Sequence, residues 1–303
     1  MSRELVIVGA GPAGVSAALW ARSLHLDVEV LEADVEPGGQ LHHIHFHPRE
    51  LPGFAEGDGE SLARVYARQL AGGEIPVRYG ARAEALVLAG GLGVAVAGGE
   101  RVAARAVLVA SGARRRRLGV PGERELEGRG VTTSATRDRD SLAGLDVVVV
   151  GGGDGAFENA LLLTAAGCRV TLLVRETPRA RSEFRERVAR DARAQVLERT
   201  RVVAVLGDER VRAVRVEDPA GVRELACAGV VVKLGVAPNS EWCRDVLAHD
   251  AHGYLRVDER FATSTPGVWA AGDIVGPLRA SVPAAAGHGA LAAAALRAAL
   301  RAG

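Results

Sequence analysis

Apolar and polar positions alternate in blocks along the first thirty residues. Leu5-Val6-Ile7-Val8 is an unbroken apolar run, Gly9-Ala10-Gly11-Pro12-Ala13-Gly14 interrupts it, and an Ala-rich stretch of helical spacing follows. A short run apolar on both faces predicts a buried parallel strand, so the order reads strand, glycine turn, helix. A second apolar strand, Val28 to Leu31, ends in Glu32, 23 residues after Gly9. This is the spacing of a dinucleotide-binding unit. The glycines allow the tight turn and close approach of a pyrophosphate, helix N-terminal N–H groups meet its charge, and the acid accepts from a ribose.

Further along, Glu36-Pro37-Gly38-Gly39-Gln40-Leu41 is a turn signal, and Ser61 to Leu70 has helical spacing. Val77 to Val102 reads as short alternating strands between glycine pairs, and Ala106 to Ala113 returns as a buried strand with a small-residue exit at Ser111-Gly112. The opening pattern then recurs. Val147 to Val150 leads into Gly151-Gly152-Gly153-Asp154-Gly155-Ala156, a helix through Ala166 and the strand Arg169 to Val174, with Gly151 142 residues after Gly9. A second meander, Val202 to Ala226, and a strand, Val230 to Lys233, follow, and an Ala-rich helix from about Pro283 to Leu300 ends the chain. The fold class is α/β, with two Rossmann-like units. Two such units imply two dinucleotides, and two dinucleotides imply electron transfer.

Composition narrows the chemistry. The 303 residues are 48% hydrophobic, enough for two cores, and the formal net charge of +1 gives no reason to expect nucleic acid or an anionic membrane. No apolar run approaches spanning length, and the chain enters a strand without an h-region or cleavage site, so a cytoplasmic protein is expected. Cys168, Cys227 and Cys243 stand in no CxxC or ligand spacing and read as single thiols. Half of the eight histidines lie in Leu41 to Pro48, where His43, His45 and His47 would share one face if extended. No Cys or carboxylate completes a familiar ligand set there, so no metal is assigned. The four arginines Arg114 to Arg117 read as a solvated linker or an anion contact. Lys233 is the only lysine, at a strand end where its pKa is tunable.

Taken together, Gly9 to Gly14, Pro37 to Leu41, Pro52-Gly53-Phe54, Gly119-Val120-Pro121-Gly122-Glu123, Gly151 to Ala156, Gly235 to Asn239 and Pro266 to Asp273 resemble, in order, the low-molecular-weight thioredoxin reductases. These belong to the pyridine nucleotide-disulfide oxidoreductases, and the resemblance covers essentially the whole chain. It implies three-layer ββα domains, with an NAD(P) domain (116–243) inserted into a discontinuous FAD domain (1–115 and 244–303), and a homodimer. It implies FAD held by Gly9, Gly11, Pro12, Ala13, Gly14, Glu32, Gly39, Gln40, Leu41, Ser111, Gly112, Gly272, Asp273 and Ser281, with Glu32 on the ribose and Asp273 on the ribityl chain. It implies NAD(P)H on Gly151, Gly153, Asp154, Gly155, Ala156, Arg175, Glu176 and Arg181.

The departures direct the functional reading. Without a gap, the two cysteines of the family's CxxC fall on Ser134 and Arg137, and Ala280-Ser281 replaces an Arg-Gln pair near the flavin. No redox disulfide can form at 134 and 137. The expectation is an FAD-dependent NAD(P)H oxidoreductase that passes electrons to an external acceptor: flavodoxin, ferredoxin, a quinone, a small disulfide or oxygen. Lys233 is the one further candidate for catalysis. The alternative is a flavin-based redox sensor or partner-binding module with negligible turnover. Val174-Arg175-Glu176 stands where NADPH-binding members carry His-Arg-Arg. The carboxylate favours NADH, while Arg175, Arg179 and Arg181 keep the 2′-phosphate of NADPH in play.

Overall fold

The computed structural model describes residues 2–276 and 280–302. In chain order its first elements are β1 (Arg3–Val8), α1 (Pro12–Ser23), β2 (Val28–Leu31), α2 (Gly59–Gly72), β3 (Val77–Arg78), β4 (Ala83–Val87), β5 (Gly93–Val96), β6 (Arg101–Val109) and β7 (Ala113–Arg115). There follow β8 (Val131–Thr132), α3 (Ala135–Leu142), β9 (Asp146–Val150), α4 (Asp154–Ala165), β10 (Arg169–Leu173), α5 (Ser182–Arg190) and β11 (Ala194–Leu197). The last are β12 (Arg201–Gly207), β13 (Val211–Asp218), β14 (Gly221–Ala226), β15 (Gly229–Val232), β16 (Val236–Pro238), β17 (Val268–Ala270) and α6 (Val282–Ala302).

The chain divides into two units, Met1–Arg114 with Ala237–Gly303, and Arg115–Val236. In the first, the strand order is β3-β2-β1-β6, continued by antiparallel β5 and β4, with β17 parallel to the end of β6. β6 serves both arrangements, and its burial changes accordingly. Its first residues alternate between exposed and buried beside β5, while Ala106 to Val109 is buried throughout between β1 and β17. The period of two in β1 separates the two faces. Leu5 and Ile7 pack against α1 and α6, whereas Val6 and Val8 pack under the β4–β5 hairpin with Cys243 and Leu247. The result is the three-layer ββα arrangement.

Small residues let the helical layer close on the sheet. Ala13, Ala17, Ala18 and Ala21 of α1 are buried, as are Ala292 and Ala293 of α6, and a Cβ on Gly289 would run into the Ala13 carbonyl.

The second unit repeats the plan with the order β11-β10-β9-β15-β8, all parallel, and a separate antiparallel sheet, β12-β13-β14. Val147 and Val149 face α4 and its Phe157, while Val148 and Val150 face the meander's Val214 and Val216. The two chain crossings between the units run as the paired strands β7 and β16. The return crossing falls at Ala237 rather than near residue 244. Asn239 bonds to Ser111, and Cys243 packs in the first unit's core, which draws this stretch into the first unit. The arginine run is committed locally. Arg114 pairs with Glu241 (2.5 Å), Arg116 donates to the Val236 carbonyl (2.8 Å), and Arg117 pairs with Glu127 (2.9 Å).

The histidine stretch is not extended. Gly38 (φ +135°) and Gly39 (φ +54°) start a 3-10 turn over Gly39–His43, so His43, His45 and His47 share no strand face. His42 Nδ1 lies 2.9 Å from Glu60 and its Nε2 3.1 Å from the Pro37 carbonyl, while His47 bonds the Gly57 carbonyl and stacks on Phe54. Among the described residues, no three His, Cys, Asp or Glu side chains are grouped to hold a metal ion, and no helix is long and apolar enough to cross a membrane.

Candidate functional site

In the first unit, β1 ends at Gly9, whose φ of +105° is open to glycine and strained for any other residue. Its N–H donates to the Leu31 carbonyl (2.8 Å), tying the turn to the end of β2. α1 then starts with Gly11 as an extended N-cap, Pro12 in its first turn and no side-chain cap, so its first N–H groups are left for a ligand. The glycines divide the work. A Cβ on Gly14 would run into the Gly9 carbonyl, so Gly14 allows helix and turn to pack. A Cβ on Gly11 would meet nothing nearer than the Gly38 carbonyl at 4.0 Å, which leaves a cradle for an approaching phosphate.

Glu32 anchors the next loop. Only 6% exposed, it accepts from the N–H of Ala10 (2.6 Å) and from that of Asp34 (2.9 Å), one bond on each oxygen. Each oxygen retains a lone pair, so the carboxylate can still receive ribose hydroxyls. A cavity of about 660 Å³ opens from this point. It is lined by Gly9, Gly11, Pro12, Ala13, Glu32, Gly39, Gln40, Leu41, Ser111, Gly112, Asp273 and Ser281. Gly14 and Gly272 lie behind the wall. Gly272 (φ +82°) would place a Cβ 2.7 Å from that of Ala13, so both hold α1 close rather than line the space.

Burial raises the pKa of the Asp273 carboxyl, with His288 opposing the shift, and an incoming hydroxyl donor would compensate that desolvation. Size, phosphate cradle and acid positions together fit FAD.

Sequence reasoning missed part of this wall. Arg114, Asn239, Glu241 and Trp242 line the cavity beside Ser111. Asn239 donates from Nδ2 to the Ser111 carbonyl (2.7 Å), and Ser111 Oγ donates back to the Asn239 carbonyl (2.9 Å). Arg114 bridges Asn239 Oδ1 (2.8 Å) and Glu241. The only sequence sign was the Gly235 to Asn239 turn, which gives no hint of a partner 128 residues away.

The second unit builds the same device on β9. A Cβ on Gly151 (φ +148°) would run into the Lys233 carbonyl, whereas Gly153 and Gly155 face open space, and α4 begins on Gly153 without a side-chain cap. Ala156 takes the place of the third glycine and is buried against the sheet. At the strand end, Arg175 and Glu176 pair with each other at 3.3 Å, both fully in solvent reach. Arg181 is held at the first turn of α4. Its N–H and its Nε each bond Asp154 at 2.8 Å, and its guanidinium covers the Phe184 ring at 4.7 Å. Those bonds, the backbone one foremost, lower the Asp154 pKa and keep a carboxylate at the first turn of α4.

At the segment that the ungapped resemblance sets against the family's CxxC, Ser134 is the N-cap of α3, its Oγ accepting the Arg137 N–H at 3.3 Å. The Arg137 guanidinium holds Asp138 through Nε (2.8 Å) and Nη2 (2.7 Å) and reaches the Thr132 hydroxyl (3.0 Å). Cys168, Cys227 and Cys243 are all buried and free. Burial raises all three thiol pKa values, those of Cys227 and Cys243 to about 12.

The profile of the pyridine nucleotide-disulphide oxidoreductases matches residues 3–296. A thioredoxin reductase of Mycolicibacterium smegmatis is 38% identical over 296 residues, covering 94% of this chain and 93% of that protein. The crystal structure of Lactococcus lactis thioredoxin reductase superposes with a TM-score of 0.79 at 27% identity, covering 99% of this chain and 100% of that one. That of T. acidophilum thioredoxin reductase gives 0.76 at 28% identity, with 98% of each chain covered. With two dinucleotide folds in sequence and a match over nearly its full length, this chain belongs to the pyridine nucleotide-disulphide oxidoreductase family and has the architecture of its thioredoxin reductases.

Proposed function

We propose that the chain is an FAD-dependent NAD(P)H oxidoreductase that passes electrons from reduced flavin to an external acceptor other than thioredoxin. Flavodoxin, ferredoxin, a quinone, a small disulfide and oxygen are the acceptor classes. What supports this reading is that the sequence holds no CxxC, and that the positions where an ungapped resemblance would put the family's redox cysteines hold a helix-capping hydroxyl, Ser134, and an ion-paired guanidinium, Arg137. Disulfide exchange needs a thiolate attacking sulfur, and neither group supplies sulfur. The remaining thiols are buried, with raised pKa values that disfavour the thiolate.

FAD, when bound, accepts a hydride from a reduced nicotinamide and releases the electrons to a further acceptor. The chain's own residues bind and orient. The uncapped first turn of α1 and the open face of Gly11 receive the pyrophosphate, Glu32 the ribose, and Asp273 a hydroxyl of the linking chain. In the second unit, Gly153 and Gly155 leave room for the nicotinamide dinucleotide at the start of α4. Glu176, exposed beside Arg175, supports NADH as the donor, because a carboxylate repels a 2′-phosphate and accepts from a ribose diol.

The test is an acceptor screen with the flavin-loaded protein. Rapid NAD(P)H consumption with any non-thioredoxin acceptor supports the proposal. Tight flavin with negligible turnover toward every acceptor would replace it with the redox-sensor reading.

A further inference from the structure

The turn that walls the phosphate cradle of the first unit is held from behind by one imidazole. The Gly38 N–H donates to the Ala10 carbonyl (2.9 Å), and the Gly38 carbonyl is the atom nearest, at 4.0 Å, to a Cβ built on Gly11. Gly39, Gln40 and Leu41 continue this wall along the cavity. On its far side His42 folds back over the turn. Its Nε2 lies 3.1 Å from the Pro37 carbonyl, and its Nδ1 lies 2.9 Å from Glu60 in the first turn of α2. A Cβ on Gly38 would stand 2.6 Å from Nε2 and 2.9 Å from the Cβ of Ala63, so only a glycine leaves room for the ring.

The two partners fix the charge of that ring. A carbonyl oxygen only accepts, and so does an ionised carboxylate. Arg64, 3.3 Å from the other Glu60 oxygen, keeps Glu60 ionised. Both ring nitrogens must therefore donate, and only the imidazolium does so. The remaining charges nearby agree with this. Glu36 comes within 3.9 Å of Nδ1, and Asp58 is committed to capping α2 through the Ser61 N–H and hydroxyl. Burial lowers the His42 pKa, but the Glu60 and Pro37 bonds and the charge of Glu36 outweigh it, and the net shift is upward from 6.5.

Loss of one proton breaks the arrangement at a definite place. A neutral ring has a single donor, and the carboxylate is the stronger acceptor, so Nδ1 keeps its proton for Glu60 and a bare Nε2 faces the Pro37 carbonyl. Two lone pairs then oppose each other beside Gly38. The rest of the turn has its own ties to α2: the Gly59 N–H donates to the Ile44 carbonyl (3.0 Å), and Leu41 is buried with Leu62 and Ala63. The part that loosens is the Pro37–Gly38 wall, while the helix keeps its place.

We propose that His42 is a positioning residue for the flavin: as an imidazolium it ties the Pro37 carbonyl to α2 and holds the cradle wall opposite Gly11, and its deprotonation releases that wall. The inference rests on the reading that this cavity holds FAD, and it adds a dependence on pH. A flavin that needs the wall in place favours the protonated ring. Affinity is therefore full while His42 is charged in the empty protein, and it falls as pH climbs from the ring's pKa there to its higher pKa in the loaded protein.

The test uses the full chain, stripped of flavin, with FAD affinity measured from about pH 6 to 9, the range over which a raised histidine titrates. Ring chemical shifts of isotope-labelled histidines are recorded in the empty and the FAD-loaded protein, with the His42 signal assigned by its absence from His42→Gln. A several-fold loss of affinity toward the alkaline end is expected, with His42 titrating at higher pH when FAD is bound. His42→Gln should bind weakly and show no such fall, and Glu60→Gln, which takes away the carboxylate that holds the proton, should move the fall to lower pH. His43 also lines the cavity, and any part of the profile that it causes survives in His42→Gln. A profile unchanged in His42→Gln overturns the proposal, as does a His42 ring that titrates at the same pH with and without FAD, a measurement on the unmodified chain that stands even if the variants do not fold. FAD that binds equally well across the range overturns this proposal alone, whereas FAD that binds at no pH overturns the flavin reading beneath it.

Discussion

Replacing Glu32 with alanine removes the acceptor of two backbone N–H groups at once. The carboxylate takes one bond from Ala10 at 2.6 Å and one from Asp34 at 2.9 Å, and the residue is only 6% exposed. A hydrogen bond to a charged group contributes about 1.5–3 kcal/mol net. The Ala10 N–H is buried and loses its partner outright, whereas the part-buried Asp34 N–H regains some hydration, so the sum is about 3 kcal/mol. For a unit of this size, each kcal/mol shifts the melting temperature by about 2–4 °C, giving a fall of about 6–12 °C in the first unit's transition. Glu32→Gln keeps one carbonyl acceptor but points an amide N–H2 at the other donor, so it should fall between wild type and alanine. The assay is scanning calorimetry of flavin-stripped protein, which isolates the loop anchor from any ribose contact. An alanine variant that melts within a degree of the unmodified apoprotein would refute the claim that Glu32 holds the turn. Flavin affinity, measured in parallel, should fall in both variants.

Gly11→Ala and Gly14→Ala should separate ligand room from packing. The first is expected to leave apoprotein stability within about 1 kcal/mol, the cost scale of glycine-to-alanine changes at compatible sites, while weakening FAD binding. The second should destabilise the apoprotein itself, because its Cβ meets the Gly9 carbonyl, and equal melting of the two variants would contradict this division. Flavin reduction at equal NADH and NADPH should favour NADH, and Glu176→Gln should narrow the gap; a clear NADPH preference sinks this assignment. Lys233 has a folded pKa of about 8 against 10.5 when unperturbed, with burial first and then Arg115 lowering it and Glu158 raising it. Between these values the unfolded chain binds the extra proton, so stability relative to Lys233→Met should rise as pH climbs from about 8 toward 10.5 and stay level below it. Chemical denaturation across that range would show a flat difference if the ammonium were freely solvated.

Much of the fold was legible because its signals are local. Leu5 to Val8 and Val147 to Val150 are buried on both faces, each glycine turn follows its strand directly, and Glu32 ends the next strand, all within a single βαβ unit. What was not legible depends on distant partners. The pairing of Asn239 with Ser111 spans 128 residues, and it carries Glu241 and Trp242 into the cavity wall and moves the return crossing to Ala237. Arg181 was read with Arg175 and Arg179 as keeping a 2′-phosphate in play, and its bonds to Asp154, 27 residues earlier, had no sign in the sequence. The alternating histidines suggested a strand face, and the positive φ angles of Gly38 and Gly39 wind the chain into a 3-10 turn instead.

The central claim is that electrons enter this protein from a reduced nicotinamide and leave without a dithiol relay. The direct measurement is anaerobic flavin reduction by NADH or NADPH, followed by addition of oxidised thioredoxin with continued recording of nucleotide consumption. The account predicts that the flavin bleaches and that thioredoxin restarts no turnover, in the unmodified chain and in Arg137→Ala alike, with Ser134→Cys combined with Arg137→Cys as the comparison that restores a thiol pair. Sustained thioredoxin reduction by the unmodified chain would contradict it and direct attention to Cys168, Cys227 or Cys243.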